Sequence, residues 1–243
     1  MSFPNRMNYR EFYNRFAASY RTKNLAWHSR PPLTAMRKLL KARKRKNQRP
    51  WTLPWSSELP KEFIRLCPWE GEYLFNLAAL SRKGILETGR YHGGSAFLMS
   101  CSNPDVPIHS IDIEPKDDQR LRDFMDRCGV GKNVDLIVGD SQKTKYPQIE
   151  QYDVLWIDGD HSYEGCTADL NNWYDDLEPG GHIVLHDCYE GNEVKTSILD
   201  FLAKHPEATP VNTPYRGSVY WQYPEGSIFH MTKGRPCGAS EAL

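Results

Sequence analysis

The sequence lacks paired cysteine motifs and any long apolar run. Its six cysteines form no Cys-x-x-Cys pair, so neither a zinc ribbon nor a disulfide framework is indicated, and we expect reduced thiols in a cytoplasmic protein. No stretch reaches the roughly 20 apolar residues that a membrane-spanning helix requires, so we expect no membrane span. The hydrophobic fraction of 39% is typical of a soluble globular protein.

Acidic residues are nearly absent from the first 50 positions, which contain 14 Lys or Arg and only Glu11 as an acid. The rest of the chain contains 17 bases and 30 acids, so the two parts carry opposite charge. The basic run from Arg37 to Arg49 could bind an anionic surface. It could equally dock on the acidic remainder of the chain or on a neighbouring subunit. No RNA-binding module is visible, so we favour docking or a solvated helix, and a homo-oligomer, over nucleic acid.

Two parts of the chain differ in organisation. Apolar residues spaced by three and four predict helices over 7–20 and 34–46, and the prolines within 49–55 predict a linker. We therefore expect a basic helical extension over residues 1–55, acting as a lid or in oligomerisation, and a catalytic domain over residues 56–243.

The catalytic domain alternates short apolar runs with helical stripes, which predicts strands at 85–86, 108–113, 134–138, 152–157 and 183–185 and helices between them. A helix reaching Leu177 is expected to end in a turn at Pro179-Gly180-Gly181. Residues 218–223 and 227–232 predict a hairpin. The fold class expected is therefore α/β, a Rossmann-like doubly wound, mostly parallel sheet with a C-terminal antiparallel hairpin and an N-terminal helical appendage.

A glycine-rich turn follows the first predicted strand of this domain, with the sequence Glu87-Thr88-Gly89-Arg90-Tyr91-His92-Gly93-Gly94-Ser95. Glycines allow close approach of a ligand to the backbone. A dinucleotide fingerprint would have glycine where Tyr91 stands, and the carboxylate of Glu87 suits an amine or sulfonium better than a pyrophosphate. We take the cofactor-binding candidates here to be Glu87, Gly89, Tyr91, Gly93 and Ser95.

Polar turns also follow the next two predicted strands. Asp112 ends the second, where a carboxylate can accept hydrogen bonds from both ribose hydroxyls. Asp140, Ser141 and Gln142 follow the third, and could bind an adenine edge. Asp140 and Ser141 taken singly would serve equally well as caps of the next element. Three polar turns at successive strand ends favour a bound cofactor.

Acids and histidines follow two further strands, at Asp158-Gly159-Asp160-His161 and at His186-Asp187. The carboxyl ends of parallel strands share one edge, so we expect these groups to converge. Asp158 and Asp187 would repel each other unless protonated or bridged by a cation, and Mg²⁺ is the natural choice for oxygen ligands. For Asp160, a helix-capping role and a functional role are equally supported.

The motif from Glu87 to Ala96 resembles the first motif of the small metal-dependent O-methyltransferases, the catechol and caffeoyl-CoA enzymes. The turn at Gly139 to Gln142 resembles their adenine-binding turn. The later pattern, Ile157 to Gly165 followed by His186-Asp187, is similar to the family that includes macrolide-sugar and rhamnose O-methyltransferases and the cephalosporin-hydroxylation proteins.

This resemblance implies S-adenosylmethionine as cofactor, with Asp158 at the cofactor as well as at the metal. It also implies metal ligation by Asp158 and Asp187, and His161 as general base. Many relatives have a second acid where this chain has His186, so we take His186 as the third ligand. An imidazole ligand would favour Mn²⁺, Fe²⁺ or Zn²⁺ over Mg²⁺.

We therefore expect a metal-dependent O-methyltransferase that acts on a vicinal hydroxyl pair of a sugar or glycosylated small molecule. Two alternatives stay open. One is a nucleic-acid methyltransferase guided by the basic N-terminus, although an Asn-Pro-Pro-Tyr motif is absent. The other is a non-catalytic cofactor-binding or assembly protein. Candidate acceptor walls are Trp27, Trp51, Trp55, Tyr189, Tyr215, Arg216 and Tyr220.

Overall fold

The structure is a computed structural model that describes residues 63–66, 68–189, 191–211 and 228–234. The predicted N-terminal helices, the linker at 49–55 and the predicted strand at 218–223 lie outside the described residues. Among the helices that are described, none combines the length and the apolar character needed to cross a membrane.

Helices and strands alternate along most of the described chain. The helices are α1 Pro68–Leu80, α2 Gly94–Ser102, α3 Asp118–Cys128, α4 Tyr163–Trp173 and α5 Glu193–Lys204. The strands are β1 Ile85–Thr88, β2 Ile108–Asp112, β3 Val134–Val138, β4 Tyr152–Ile157, β5 Leu177–His186, β6 Thr209–Pro210 and β7 Ile228–Thr232.

The seven strands form one sheet in the order β3-β2-β1-β4-β5-β7-β6. Neighbouring strands from β3 to β5 are parallel, and β7 runs antiparallel to both β5 and β6. This confirms the prediction of a mostly parallel, Rossmann-like sheet with antiparallel strands at the C-terminal end. The direction of winding reverses between β1 and β4, and in such sheets ligands bind outside the carboxyl ends of the strands at that point.

Helices cover both faces of the sheet because the strands are apolar on both sides. Ile85 of β1 packs in one buried cluster, which α1, α2 and α3 cover, whereas its neighbour Leu86 packs in the other, which α4 and α5 cover. All nine residues of α2 are buried. The two layers hold the carboxyl ends of β1 to β5 at one rim.

Three predicted boundaries were wrong. The helix expected to reach Leu177 ends at Trp173, and the expected turn at Pro179-Gly180-Gly181 lies inside β5. That segment stays in the sheet because Gly180 N–H donates to the Lys233 carbonyl and Lys233 N–H donates to the Gly181 carbonyl, each at 2.9 Å. Strand β2 ends at Asp112, one residue early, so Ile113 is left 70% exposed.

The hairpin prediction is confirmed only in its second half. Residues 228–232 form β7 as expected, but its described partners are β5 and the two-residue strand β6, which the sequence did not predict. Helix α1 begins at Pro68, and proline is well suited to the first helical position because it needs no N–H partner there.

Candidate functional site

A cavity of about 570 Å³ opens at the carboxyl rim of the sheet, beside the point where the winding reverses. Its size is within the usual range for small-molecule sites. Most of the predicted site residues line it, namely Gly89, Tyr91, Ser95, Asp112, Asp140, Ser141, Gln142, Asp158, His161, His186 and Asp187. The residues predicted from the sequence thus come together at one cavity, although Glu87 and Gly93 do not line it.

The glycine turn passes very close to β4. Gly89 has φ of 87°, and a Cβ at this position would lie 2.2 Å from the Asp158 carbonyl oxygen. Gly93, with φ of 79°, is the N-cap of α2. Glycine is therefore required at position 89 both by the backbone conformation and by the lack of space.

Arg90 holds the glycine turn in place, a role that the sequence analysis did not predict. Its side chain is fully buried and its Nε and Nη2 donate to the two carboxylate oxygens of Asp118 at 2.9 and 2.7 Å. Its Nη1 donates to the carbonyls of Ser110 and Ile137. A buried guanidinium with this many acceptors connects the turn to α3, β2 and β3.

Glu87 lies beneath the turn, and its side chain is completely buried. One carboxylate oxygen accepts a hydrogen bond from Ser95 Oγ and the other from Ser110 Oγ. Burial raises the pKa of Glu87 to about 7, although the two serines and Arg90 act in the opposite direction. The cofactor-binding role of Glu87 stays a prediction.

The predicted ribose and adenine residues lie along the other half of the cavity. Asp112 accepts from the backbone N–H groups of Tyr91 and Glu114, both at 2.7 Å, which orients its carboxylate at the end of β2. Asp140 accepts from Gln142 N–H at 2.9 Å and from Lys143 Nζ at 3.0 Å. The Lys143 contact and the Gln142 N–H outweigh desolvation and lower the pKa of Asp140.

Helix α4 fixes the turn that contains Ser141. Asp169 is fully buried and accepts from Ser141 Oγ at 2.7 Å and from Thr88 Oγ1 at 3.0 Å. Asn172 and Trp173 donate to the Ser141 carbonyl at 2.6 and 2.9 Å. The hydroxyl of Ser141 therefore anchors the turn to α4, and the residue also lines the cavity.

Asp158, His161 and Asp187 converge at the cavity wall. Each offers one ligand atom, and these atoms lie within 4.8 Å of one another. His161 Nε2 is 3.4 Å from Asp158 Oδ1, and its Nδ1 is 3.5 Å from Asp187 Oδ2. The hydrogen bond to Asp158 outweighs desolvation and raises the pKa of His161. Asp187 has φ of 54°, a left-handed conformation that is rare outside glycine.

His186 lies behind this group, and among the described residues it is not one of the three that converge as candidate ligands. Its ring is 4% exposed, with Nδ1 2.9 Å from Asp158 Oδ1 and Nε2 3.3 Å from Glu70 Oε2. Desolvation of His186 is outweighed by the two carboxylates, which hold the pKa of His186 well above its usual value. In return, desolvation of Asp158 is outweighed by the two histidines, which hold the pKa of Asp158 well below its usual range.

Part of the cavity wall comes from residues that the sequence analysis did not single out. Phe63, Arg65 and Leu66 line it, and the Arg65 guanidinium lies over the Tyr91 ring at 5.1 Å. Of the predicted acceptor walls, Tyr189 is described and does not line the cavity, while the other six lie outside the described residues. Residues 63–66 belong to no recognisable sequence motif, so their position at the cavity could not be predicted.

Comparison with known proteins gives a consistent result. A family model described as a methyltransferase domain matches residues 86–188, from β1 to the end of β5. An uncharacterised protein of Acanthamoeba polyphaga mimivirus is 27% identical over 167 residues, which span 63% of this chain and 75% of that protein.

Solved structures share the fold. The O-methyltransferase NovP superposes with a TM-score of 0.55 at 18% identity over 68% of this chain and 79% of NovP. The O-methyltransferase from Bacillus cereus, solved in complex with SAH, gives 0.55 at 18% identity over 74% and 93%. TomG from Streptomyces achromogenes, solved in complex with SAM, gives 0.53 at 18% identity over 68% and 79%.

Proposed function

We propose that this chain, whose residues 86–188 match a methyltransferase domain, transfers the methyl group of S-adenosylmethionine to a hydroxyl of a small molecule, with the help of a divalent cation. The observation that carries the proposal is the convergence of Asp158, His161 and Asp187 at the wall of the cavity that the glycine turn also lines. A carboxylate pair beside a histidine is suited to proton removal from a hydroxyl.

The cofactor would lie along the rim of the sheet. Gly89 to Ser95 would hold its methionine end, Asp112 its ribose, and Asp140 to Gln142 its adenine. Structural neighbours support the choice of cofactor, because the Bacillus cereus enzyme and TomG were solved with SAH and SAM. The order of these residues along the rim follows the order of β1, β2 and β3 in the sheet.

The converging group suits a divalent cation. Asp158 and Asp187 would be its carboxylate ligands, and one oxygen of each lies within 4.8 Å of the other and of a ring nitrogen of His161. When bound, such a cation acts as a Lewis acid on the acceptor oxygen and lowers the pKa of the hydroxyl.

His161 would remove the hydroxyl proton. Its ring is 41% exposed at the cavity wall, so a substrate can reach it, and contacts with Asp158 and Asp187 orient both nitrogens. A neutral imidazole can accept the proton while the two carboxylates stabilise the imidazolium that forms. The glycine turn and the acidic group would hold methyl donor and acceptor in line, and positioning of this kind accelerates transfer.

The acceptor in this proposal is a sugar hydroxyl or a glycosylated small molecule with two neighbouring hydroxyls. The resemblance of the later sequence pattern to macrolide-sugar and rhamnose O-methyltransferases supports it. A vicinal pair would present two oxygens to the group formed by Asp158 and Asp187.

Three measurements test the proposal. Calorimetry should show binding of S-adenosylhomocysteine, and methyl transfer to a panel of diols, sugars, catechols and RNA should depend on added Mg²⁺ or Mn²⁺. His161→Ala should lower kcat by about 100-fold or more while leaving S-adenosylhomocysteine affinity unchanged. His205→Ala, at the end of α5, is the matched control and should have no effect.

Each part of the proposal can fail separately. If wild type stays fully active in excess chelator, the reaction does not require a divalent cation. Loss of Mn²⁺ affinity in His161→Ala would make His161 a ligand instead of the base. Transfer to RNA alone, with an affinity that falls steeply with salt, would replace the small-molecule acceptor with nucleic acid.

A further inference from the structure

Glu70 is a buried carboxylate that lies far in sequence from every predicted site motif. It lies in the first turn of α1 and is 3% exposed. Acids are almost never fully buried unless they are paired. The first turn of a helix favours a negative charge because the backbone N–H groups there carry partial positive charge. The helix end alone does not account for the burial, because Glu70 Oε2 is directed at His186 Nε2, 3.3 Å away.

The other ring nitrogen of His186 faces a second carboxylate. Nδ1 lies 2.9 Å from Asp158 Oδ1. The buried ring of His186 therefore lies between the two carboxylates, with one ring nitrogen facing each of them. Among the described residues, His186 is not one of the three that converge as candidate ligands.

The three residues belong to three different elements. Glu70 comes from α1, His186 ends β5, and Asp158 follows β4. Trp156, on the same face of the sheet, contacts His186 with ring centroids 5.7 Å apart, which limits rotation of the imidazole. The Asp158 carboxylate is thereby held by the buried His186 ring on one side, and the position of that ring depends in turn on α1, which otherwise contributes nothing to the predicted site.

We infer that Glu70 is a positioning residue: through His186 it fixes the orientation of Asp158 toward the cavity, so that α1 is part of the active-site architecture. The inference rests on the proposed function, because it assigns Asp158 to the ligand group. Residues that orient metal ligands from behind typically change metal affinity or activity by about 10- to 100-fold when they are removed.

The experiment compares substitutions on α1 in the full-length protein. Glu70→Gln keeps the shape of the side chain and removes the charge. Glu72→Gln makes the same change two residues away on the same helix. Tyr73→Phe removes a different hydrogen bond between α1 and the sheet, the one at 2.5 Å to His230 Nδ1. For each protein, kcat, acceptor KM, Mn²⁺ affinity and S-adenosylhomocysteine affinity are measured, with a thermal melt as a check on folding.

We expect Glu70→Gln to lower kcat and Mn²⁺ affinity by about 10- to 100-fold, with S-adenosylhomocysteine affinity changed less than about twofold. Glu72→Gln and Tyr73→Phe should retain wild-type kcat and Mn²⁺ affinity. Glu70→Asp should recover part of the loss, because it restores the charge at a longer distance. His186→Gln should lose as much as the double variant with Glu70→Gln, because both changes break one connection.

The outcomes separate this inference from the proposed function. If Glu70→Gln and Tyr73→Phe lose kcat and Mn²⁺ affinity equally, Glu70 only helps to hold α1 against the sheet, and the inference is overturned. Additive losses of Glu70→Gln and His186→Gln would also overturn it. If Glu70→Gln fails to fold, the comparison of His186→Gln with wild type decides, and unchanged Mn²⁺ affinity there overturns the inference. Wild-type protein that neither binds Mn²⁺ nor methylates any hydroxyl would instead overturn the proposed function.

Discussion

Glu87 is a fully buried carboxylate whose ionisation is coupled to the stability of the fold. Its folded pKa of about 7 lies above the ordinary value of 4.5. The native state therefore keeps a proton that the unfolded state releases between these two values. The stability that this proton provides is complete below about pH 4.5 and is lost as the pH rises through 7.

Glu87→Gln should remove this pH dependence because the amide is neutral at every pH. Urea denaturation measures the difference in free energy of unfolding between the variant and wild type. We expect this difference to favour the variant by about 2 kcal/mol more at pH 8 than at pH 5. The same change at the exposed Glu150 is the control and should shift both values equally. A Glu87→Gln variant with the same advantage at both pH values would show that the carboxylate is ionised throughout.

Glu87→Gln also tests the predicted contact with the cofactor. If the carboxylate contributes charge to the amine of the ligand, S-adenosylhomocysteine affinity should fall in the variant even as stability rises. A functional site commonly shows such a trade of stability for binding. Unchanged affinity would assign Glu87 to the support of the turn, through Ser95 and Ser110, and not to the ligand.

The glycine turn is the element at which the conformation of one residue decides the geometry of the site. Gly89 and Gly191 both have positive φ, 87° and 83°. A Cβ at Gly89 would lie 2.2 Å from the Asp158 carbonyl oxygen, whereas no atom of the described residues lies within 4 Å of a Cβ at Gly191. The pair therefore separates the effect of left-handed backbone from the effect of steric overlap.

Gly191→Ala should cost only the conformational strain, about 1–2 kcal/mol in free energy of unfolding. Gly89→Ala should cost clearly more, and it should also abolish S-adenosylhomocysteine binding because the turn must move away from β4. Denaturation and calorimetry on both variants measure this difference. Equal costs at the two positions, with binding retained in Gly89→Ala, would show that the turn has room to adjust.

Most elements were predictable because their signals are local. Alternating apolar runs and helical stripes located β1 to β5 and the helices between them. The boundary at Pro179-Gly180-Gly181 was not predictable, because those glycines stay in β5 through hydrogen bonds to Lys233, more than 50 residues away in sequence. Local turn preference was overridden by pairing with a distant strand, as is common for strand boundaries.

The site was predictable to the same extent and for the same reason. Asp158, His161 and Asp187 could be placed together because the carboxyl ends of parallel strands share one rim. Glu70 and Arg90 could not be assigned their roles. Glu70 reaches His186 across 116 positions of sequence, and its position at the start of α1 is explained equally well by the helix dipole. Arg90 was part of the motif, but its burial depends on Asp118.

At the scale of the whole molecule, the opposite charges of the two parts of the sequence are the main unexplained property. The first 50 residues carry a large positive excess and the remainder an equal negative excess. We propose that the basic extension docks on the acidic body of a neighbouring copy. Attraction between exposed charges is screened by salt, with a Debye length of about 10 Å at 0.1 M ionic strength and about 3 Å at 1 M.

The full-length chain should therefore form an oligomer at about 0.05 M salt that dissociates toward 1 M, as measured by sedimentation equilibrium. Changing Lys41, Arg43, Lys44, Arg45 and Lys46 to Gln should abolish the low-salt oligomer because it removes five charges from the extension. Changing the exposed body lysines Lys83, Lys132 and Lys204 to Gln should strengthen it, because the body becomes more acidic.

A mass that is the same at both salt concentrations and in both variants would exclude charge docking. Salt-dependent binding of RNA by wild type, lost in the five-residue variant, would assign the extension to nucleic acid instead.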